Sequence, residues 1–486
     1  MVAQEIELKL VLTAAEADTF LSSGLMPGKP TAQKLRAIYF DTPDNALLAA
    51  GISLRIRRAG NKRIQTIKGA DTPGAGLFAR SEWEVPVRDD HPVFDERTPV
   101  PAILGDTVNS VVAAFEVKVE RLTWTVEGDE ASVEVVLDRG AAIAGGRQSP
   151  VCEIELELKH GEQSAVFALA RKIAEAVPVR IGVMTKAERG YALLGSVRKS
   201  YKADPIRLDE TTASAAAFQA IAGLCIRQYR LNEMLILEDS APEALHQARV
   251  SLRRLRSALA IFKPVLIGGQ VPHFQSELRW LTGVLGEARD LDVLVGRVRP
   301  GDLKDRLQAA REQAYESVRM AADSGRVRVL LFDLAEWLAT GAWLTVEETR
   351  TMRELPAKAF AQQSLHSLRK RLKKRVGALK TLSDEQRHEA RKAAKRLRYG
   401  AEFFGSLFSS GKRSRRLRKF TASLELLQDQ LGTLNDLVAA PQVLERLDLM
   451  RQPGSETLLA HGKKAKLISA SEEAYVDLMD RENFWS

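Results

Sequence analysis

Two cysteines in 486 residues, Cys152 and Cys225, cannot frame a disulfide scaffold, and with no CxxC pair they indicate no thiolate zinc site. Each reads as a small buried hydrophobe. Aromatics make up 6% of the chain, which leaves few platforms on which nucleobases could stack. Charge or Gly/Pro breaks every apolar run short of the roughly 18 residues a spanning helix needs, and Met1-Val2-Ala3-Gln4-Glu5 has no basic n-region. The expectation is a soluble, cytoplasmic protein that engages no membrane. No HExxH or other His-pair zinc spacing is present, and no spacing favours a Ser/His/Asp triad. Gly74-Ala75-Gly76-Leu77-Phe78-Ala79 fits a loose GxGxxA, but residues 81–87 alternate like a strand where a dinucleotide fold needs a helix. The stretch from Gly405 to Gly411-Lys412-Arg413 has the wrong gap for a P-loop and lacks its Ser/Thr.

What is present divides in two. The net charge is +9, yet residues 1–200 hold 25 Lys+Arg against 27 Asp+Glu, while 201–486 hold 47 against 36. Periodicity changes at the same place, near Ser200-Tyr201-Lys202-Ala203-Asp204-Pro205. Before it, segments such as Glu5–Leu10, Leu54–Arg57, Glu82–Val85 and Glu153–Lys159 alternate with period two, as antiparallel strands do. After it come long amphipathic helices rich in Ala, Leu, Arg and Glu. The fold class expected is α+β: an antiparallel sheet domain over 1–200 and an all-helical domain over 206–486.

Alternation sends Glu5, Glu7 and Lys9 to one face and Ile6, Leu8 and Leu10 to the other. Glu153, Glu155, Glu157 and Lys159 repeat the arrangement, and Arg55 with Arg57, Glu82 with Glu84, and Glu134 with Asp138 form further one-faced sets. One such strand is what a sheet with a solvated face looks like. Several, with carboxylates on some strands and guanidinium groups on others, would line a polar tunnel if the sheet closed with its charged face inward. That tunnel suits a compact polyanion carried with a hard divalent cation. Carboxylates without His or Cys favour Mg²⁺ or Mn²⁺, and Arg and Lys hold phosphate oxygens.

Glu5-Ile6-Glu7-Leu8-Lys9 resembles the ExExK signature of the CYTH family, the triphosphate tunnel metalloenzymes. Tyr39–Pro43, Leu54–Arg57, Thr66–Gly69, Asp138–Gly140, Cys152–Lys159 and Lys186–Tyr191 continue the resemblance in order. It implies a closed antiparallel barrel of about eight strands. It implies Lys9, Arg36, Arg55, Arg57, Lys68, Arg121 and Lys186 as phosphate ligands, and Glu5, Glu7, Asp138, Glu153, Glu155 and Glu157 as the groups that bind metal or position water. Arg80, Glu82, Glu84, Lys118, Glu134 and Arg180 are candidate wall residues.

The basic half contains an internal duplication. His246-Gln247-Ala248-Arg249-Val250-Ser251-Leu252-Arg253-Arg254-Leu255-Arg256 recurs as His388-Glu389-Ala390-Arg391-Lys392-Ala393-Ala394-Lys395-Arg396-Leu397-Arg398, 142 residues later. Leu285–Leu291 pairs with Leu431–Leu437 at an offset of 146, giving repeats over about 212–345 and 356–486. On a helix His246, Arg249, Arg253 and Arg256 share one stripe, as do His388, Arg391, Lys395 and Arg398. Ser240-x-x-Glu243 and Ser383-x-x-Gln386 read as capping boxes. Residues 366–420 carry 19 Lys+Arg against 4 Asp+Glu, a self-repelling excess that calls for an anionic partner or strong solvation.

The paired His-x-x-Arg helices resemble the CHAD domain, a conserved histidine α-helical family. That resemblance implies two pseudo-symmetric four-helix bundles that bind inorganic polyphosphate through His246, Arg249, Arg253, Arg256, His388, Arg391, Lys395 and Arg398, with Asp290 and Asp436 able to orient them. Together the resemblances imply metal-dependent hydrolysis of inorganic triphosphate, with Mg²⁺ or Mn²⁺, and association with polyphosphate granules. Thiamine triphosphatase, class IV-type adenylate cyclase and a non-catalytic polyphosphate scaffold are the alternatives. Nucleic acid is disfavoured by the scarcity of aromatics.

Overall fold

The computed structural model describes residues 4–69, 75–128, 130–239, 241–376, 379–459 and 464–486, without the side chains of residues 4, 5, 79 and 80. Contacts divide the chain into two units, Met1–Tyr201 with Ser324–Gly341, and Lys202–Asp323 with Ala342–Ser486.

The alternating segments of the first unit form nine strands: β1 (Gln4–Val11), β2 (Thr31–Asp41), β3 (Ser53–Ala59), β4 (Lys62–Lys68), β5 (Leu77–Pro86), β6 (Val112–Glu127), β7 (Ser132–Ala144), β8 (Arg147–His160) and the short β9 (Arg180–Ile181). They join in the order β5-β4-β3-β2-β6-β7-β8-β1-β9, and β1 pairs with β5 as well, which closes eight strands into a ring. The expected closed antiparallel barrel is present. Its outer face is apolar: Leu8, Leu10, Ile154 and Leu156 are buried, and the helix Gln163–Ala176 lies on β1 and β8 with Val166, Phe167, Ala170 and Ile173 inward. Hydrophobic burial on the outside leaves the lumen for polar groups. The helix Lys186–Leu194 fills one end of that lumen, where Ala187, Tyr191 and Leu193 join Leu35, Ala37, Tyr39, Phe115 and Val117. Gly190 is required there, because a Cβ would stand 2.0 Å from the Phe115 ring.

The helix Gly325–Thr340 counts with the barrel rather than with its sequence neighbours, resting on Gln163–Ala176 and β9. Arg171 binds both Asp333, at 2.7 Å, and Glu336.

The second unit is helical. Ser214–Glu238, Pro242–Ile261, Gln270–Val295 and Asp302–Asp323 pack in succession, and Ala357–Arg375, Asp384–Phe404, Gly411–Arg446 and Lys464–Asp480 repeat the order. These are the two four-helix bundles expected from the duplication. Phe218, Phe262, Phe360 and Phe404 stack across the pair. Ser383 and Gln386 make the expected capping box. Ser240 lies outside the described residues.

Candidate functional site

Residues opposite one another across a ladder point to the same face, so the registers identify the lumen. Lys9 lies opposite Glu155, Glu7 opposite Glu157, Asp138 opposite Glu153 and opposite Arg121. Arg55 lies opposite Tyr39 and Thr66, Arg57 opposite Ala37, Lys68 opposite Glu82, and Thr66 opposite Glu84. Together these groups occupy the inner face.

The acidic wall, on β1, β7 and β8, is the deeper. Glu153 and Asp138 are fully buried, and Glu7 nearly so. The ammonium of Lys9 lies 2.9 Å from Glu153, 2.5 Å from Glu155 and 3.2 Å from Glu7. That of Lys186 lies 2.7 Å from each of Asp138, Glu153 and Glu155. Lys186 is the first residue of its helix, held by a capping box between Thr185 and Glu188. Arg121 donates through Nε and Nη2 to Asp138 at 2.8 and 2.6 Å, and approaches Glu155 at 3.2 Å.

Burial alone would neutralise all of these groups. The partners win: burial opposes, but Lys186 and Lys9 hold the carboxyl of Glu155 well below the usual range and that of Glu153 below it, and Lys186 with Arg121 lowers that of Asp138. The same carboxylates, against burial, push the Lys9 and Lys186 ammonium groups up.

The opposite wall is basic. Arg55 is half-buried, with Tyr39 Oη at 3.5 Å and a buried Nε that has no hydrogen-bond partner. Arg57 is 3.8 Å from Glu84, and Lys68 is 3.4 Å from Glu82. Arg55 foremost, then burial and Arg121, lowers the Arg57 guanidinium. Arg55 and Arg57 thus crowd each other across from the carboxylate cluster, with Arg121 of the acidic wall adding to the repulsion, and an anion placed between the walls relieves it.

The donors suit a hard divalent cation in kind, being all oxygens, and Glu153 Oε2 is buried without a hydrogen bond. Among the described residues no three His, Cys, Asp or Glu groups form a ready metal cage. Lys9 and Lys186 stand between the carboxylates instead. Glu153, Glu155 and Asp138 are the residues able to hold a metal here. Glu157 is brought to the same face but pairs with Lys159 at 2.7 Å, and Glu134 is 3.4 Å from that lysine. Glu5 and Arg80 occupy facing positions on β1 and β5, and their side chains lie outside the described residues.

Two expectations fail. Arg36 and Lys118 face each other across β2 and β6 on the outer side, where Arg36 pairs with Glu116, and Lys118 is 3.2 Å from it. Arg36 sits an odd number of residues from the inward-facing Leu35 and Ala37, and strand parity turns it outward. Arg189, 7% exposed and close enough to act on Glu153, was not singled out; it lies one turn after Lys186 on the capped helix, a signal readable from Thr185-x-x-Glu188.

In the helical unit, Arg249, Arg253, Arg391 and Lys395 come together from the helices 242–261 and 384–404. The Nε atoms of Arg249, Arg253 and Arg391 are buried without hydrogen bonds, and Arg249 reaches Asp290 at 3.1 Å. Burial, then Arg391, Arg253 and Arg249, push the Lys395 ammonium down to about 6 against the pull of Asp436. Burial, then Arg289, Arg253, Arg249 and Lys395, push His246 down to about 4. Neutral at pH 7, that imidazole acts by hydrogen bonding rather than as a cation. His388 is exposed and bonds Asn435 Oδ1 at 2.8 Å. Arg398 is tied to Glu402 and Gln428, at 2.8 and 3.3 Å, while Arg256 faces Arg279 and Arg396. No single helix of the described residues is long and apolar enough to cross a membrane.

Residues 3–191 match the CYTH domain family, and residues 220–445 match the CHAD domain family. The inorganic triphosphatase of Haemophilus influenzae is 30% identical over 203 residues, 40% of this chain and 55% of that protein, so the chain spans about half the length of that relative. An uncharacterised protein of Mycobacterium tuberculosis is 28% identical over 476 residues, covering 88% of this chain and 85% of its own. The crystal structure of the CHAD domain from the plant Ricinus communis is 29% identical, covers 58% of this chain and 97% of that domain, and superposes with a TM-score of 0.49.

Proposed function

The chain belongs to the CYTH–CHAD proteins, a CYTH domain followed by a CHAD domain, and from that premise we propose that its barrel hydrolyses inorganic triphosphate to pyrophosphate and phosphate while its helical unit binds inorganic polyphosphate. One observation carries the first half: Arg55 and Arg57 repel each other on one wall of a closed barrel's lumen, facing a wall on which Lys9, Lys186 and Arg121 hold Glu153, Glu155 and Asp138 ionised. A linear triphosphate with a divalent cation complements both walls.

Arg55, Arg57 and Lys68 would hold the oxygens of the non-transferred phosphates, with Lys9 and Lys186 able to turn from carboxylate to phosphate as the charge arrives. Glu153, Glu155 and Asp138 would supply oxygen ligands to Mg²⁺ or Mn²⁺, with Glu7 beside them and Glu5 added as the family resemblance implies. Such an ion supplies charge neutralisation on phosphate oxygens when bound. Glu155, an ionised carboxylate in the lumen, would orient an attacking water by accepting a hydrogen bond from it.

Phosphate release from tripolyphosphate, thiamine triphosphate and ATP, each with Mg²⁺ and with Mn²⁺, tests the assignment. Tripolyphosphate should give the highest kcat/KM; no turnover of it would overturn the proposal. For the helical unit, the supporting observation is the buried, unpartnered Nε set of Arg249, Arg253 and Arg391. Association with polyphosphate granules follows if that binding holds in the cell.

A further inference from the structure

The duplication allows one bundle to be checked against the other. At the offset of 142 residues, Arg254 corresponds to Arg396, Arg256 to Arg398 and Ala260 to Glu402. In the second bundle Glu402 follows Arg398 by one turn, accepts a hydrogen bond from its Nε at 2.8 Å, and also pairs with Arg254 reaching over from the first bundle. The Arg254 guanidinium lies over Phe403 and Tyr399, 5.2 and 6.0 Å from the ring centroids. One carboxylate therefore neutralises two arginines at this crossing.

At the pseudo-equivalent crossing the arginines are Arg256 and Arg396, and alanine replaces the carboxylate. Neither arginine has an ion-pair partner among the described residues. Burial, then Arg279 and Arg396, lowers the Arg256 guanidinium, and burial, then Arg371 and Arg375, lowers that of Arg396. Glu389, which acts on Arg396, is engaged by Arg375 and Lys392 at 2.6 Å each. Both central arginines are half-buried, so water screens their repulsion incompletely.

We infer that Arg256, Arg396, Arg279 and Arg371 form a second anion-binding cluster that takes the continuing segment of a long polyphosphate chain, with no counterpart on the Glu402 side. The inference rests on the reading of the helical unit as a polyphosphate receptor and adds a place and a direction to it. Arg256 follows Arg253 by about 4.5 Å along the helix axis, at 1.5 Å per residue, so a chain seated on Arg249 and Arg253 reaches Arg256 without leaving the helix. Guanidinium forks match phosphate oxygens, and a chain charged at every unit satisfies a wholly cationic cluster. A short polyanion occupies the central group alone; a long one gains the second.

The test uses the full chain in EDTA, which keeps the probe from being hydrolysed, titrated with polyphosphates of about eight and about 100 phosphates over a range of salt. Ala260→Glu supplies the missing carboxylate one turn from Arg256, and Arg396→Gln removes a cation from a half-exposed position, so the test survives should the first variant misfold. Each should weaken the long chain about tenfold and flatten its salt dependence, while the short chain changes by less than about twofold. Wild-type affinity for the long chain in both variants overturns the second cluster, provided Arg391→Glu loses binding of both lengths. Unchanged binding in Arg391→Glu overturns the receptor reading itself. If Ala260→Glu instead weakens a single-stranded homopolymeric DNA while leaving polyphosphate untouched, the ligand assigned here is wrong.

Discussion

At the scale of single residues, the contrast between Arg55 and Arg36 is the sharpest check on the barrel. Arg55→Ala removes a half-buried guanidinium from the anion side of the lumen and should lower kcat/KM for tripolyphosphate by about 10²-fold or more. Arg36→Ala, on the outer face with Glu116, should leave it within about twofold. Parity alone could not have separated the two, since each arginine is flanked by apolar residues; Leu35 and Ala37 face inward against the helix Lys186–Leu194, whereas Leu54 and Ile56 are buried outward. The inward set of Glu7, Lys9, Asp138, Glu153 and Glu155 was legible because strict alternation puts like with like. What alternation could not tell is which ions pair: Lys186 comes from a helix more than thirty residues beyond β7, and its three contacts depend on where that helix enters the lumen. Gly190→Ala puts a methyl into the Phe115 ring and should cost about 1–3 kcal/mol, read as a lower unfolding midpoint.

At the scale of elements, strands and helices followed from period, and the capping box at Ser383 from local spacing, whereas the one at Thr185 was found only in the structure. The place of Gly325–Thr340 did not. Its sequence is that of any amphipathic helix in the second half, yet Arg171 and the helix Gln163–Ala176 hold it in the barrel unit. A fragment ending at residue 201 lacks it, and should melt below the same unit in the full chain, while adding the 324–341 peptide in trans should restore part of the difference; calorimetry reads both. The acidic wall sets a pH dependence of known sign. Asp138, Glu153 and Glu155 have depressed carboxyls in the folded barrel, so their stabilisation is present above the unfolded carboxylate range, near pH 4, and is lost as pH falls through the folded values. Lys9 and Lys186, raised, contribute below the unfolded lysine value and lose that contribution only as pH climbs through their folded ones. The urea midpoint of the barrel unit should therefore be flat from about pH 6 to 9 and fall steeply below about pH 4.

At the scale of the whole molecule, duplication and charge division were both visible before any coordinates, because a repeated His-x-x-Arg pattern and an excess of basic residues survive in sequence. The energetics of the cationic assembly were not, since they arise from helices meeting. With Lys395 pushed down to about 6 by burial, Arg391, Arg253 and Arg249, binding a polyanion should restore its proton. Near pH 7.5, titration calorimetry in buffers of different ionisation enthalpy should show close to one proton taken up per site, and affinity should weaken as pH rises from about 6 to 8. Zero uptake would overturn the protonation of Lys395 on binding. The exchange of Glu402 for Ala260 has one more consequence. A linear polyphosphate reads the same from either end, and a perfectly two-fold receptor would let it lie both ways out; were it bound as proposed, with one exit neutralised, the overhang would emerge on a single flank and a symmetric polymer would acquire a leading tail.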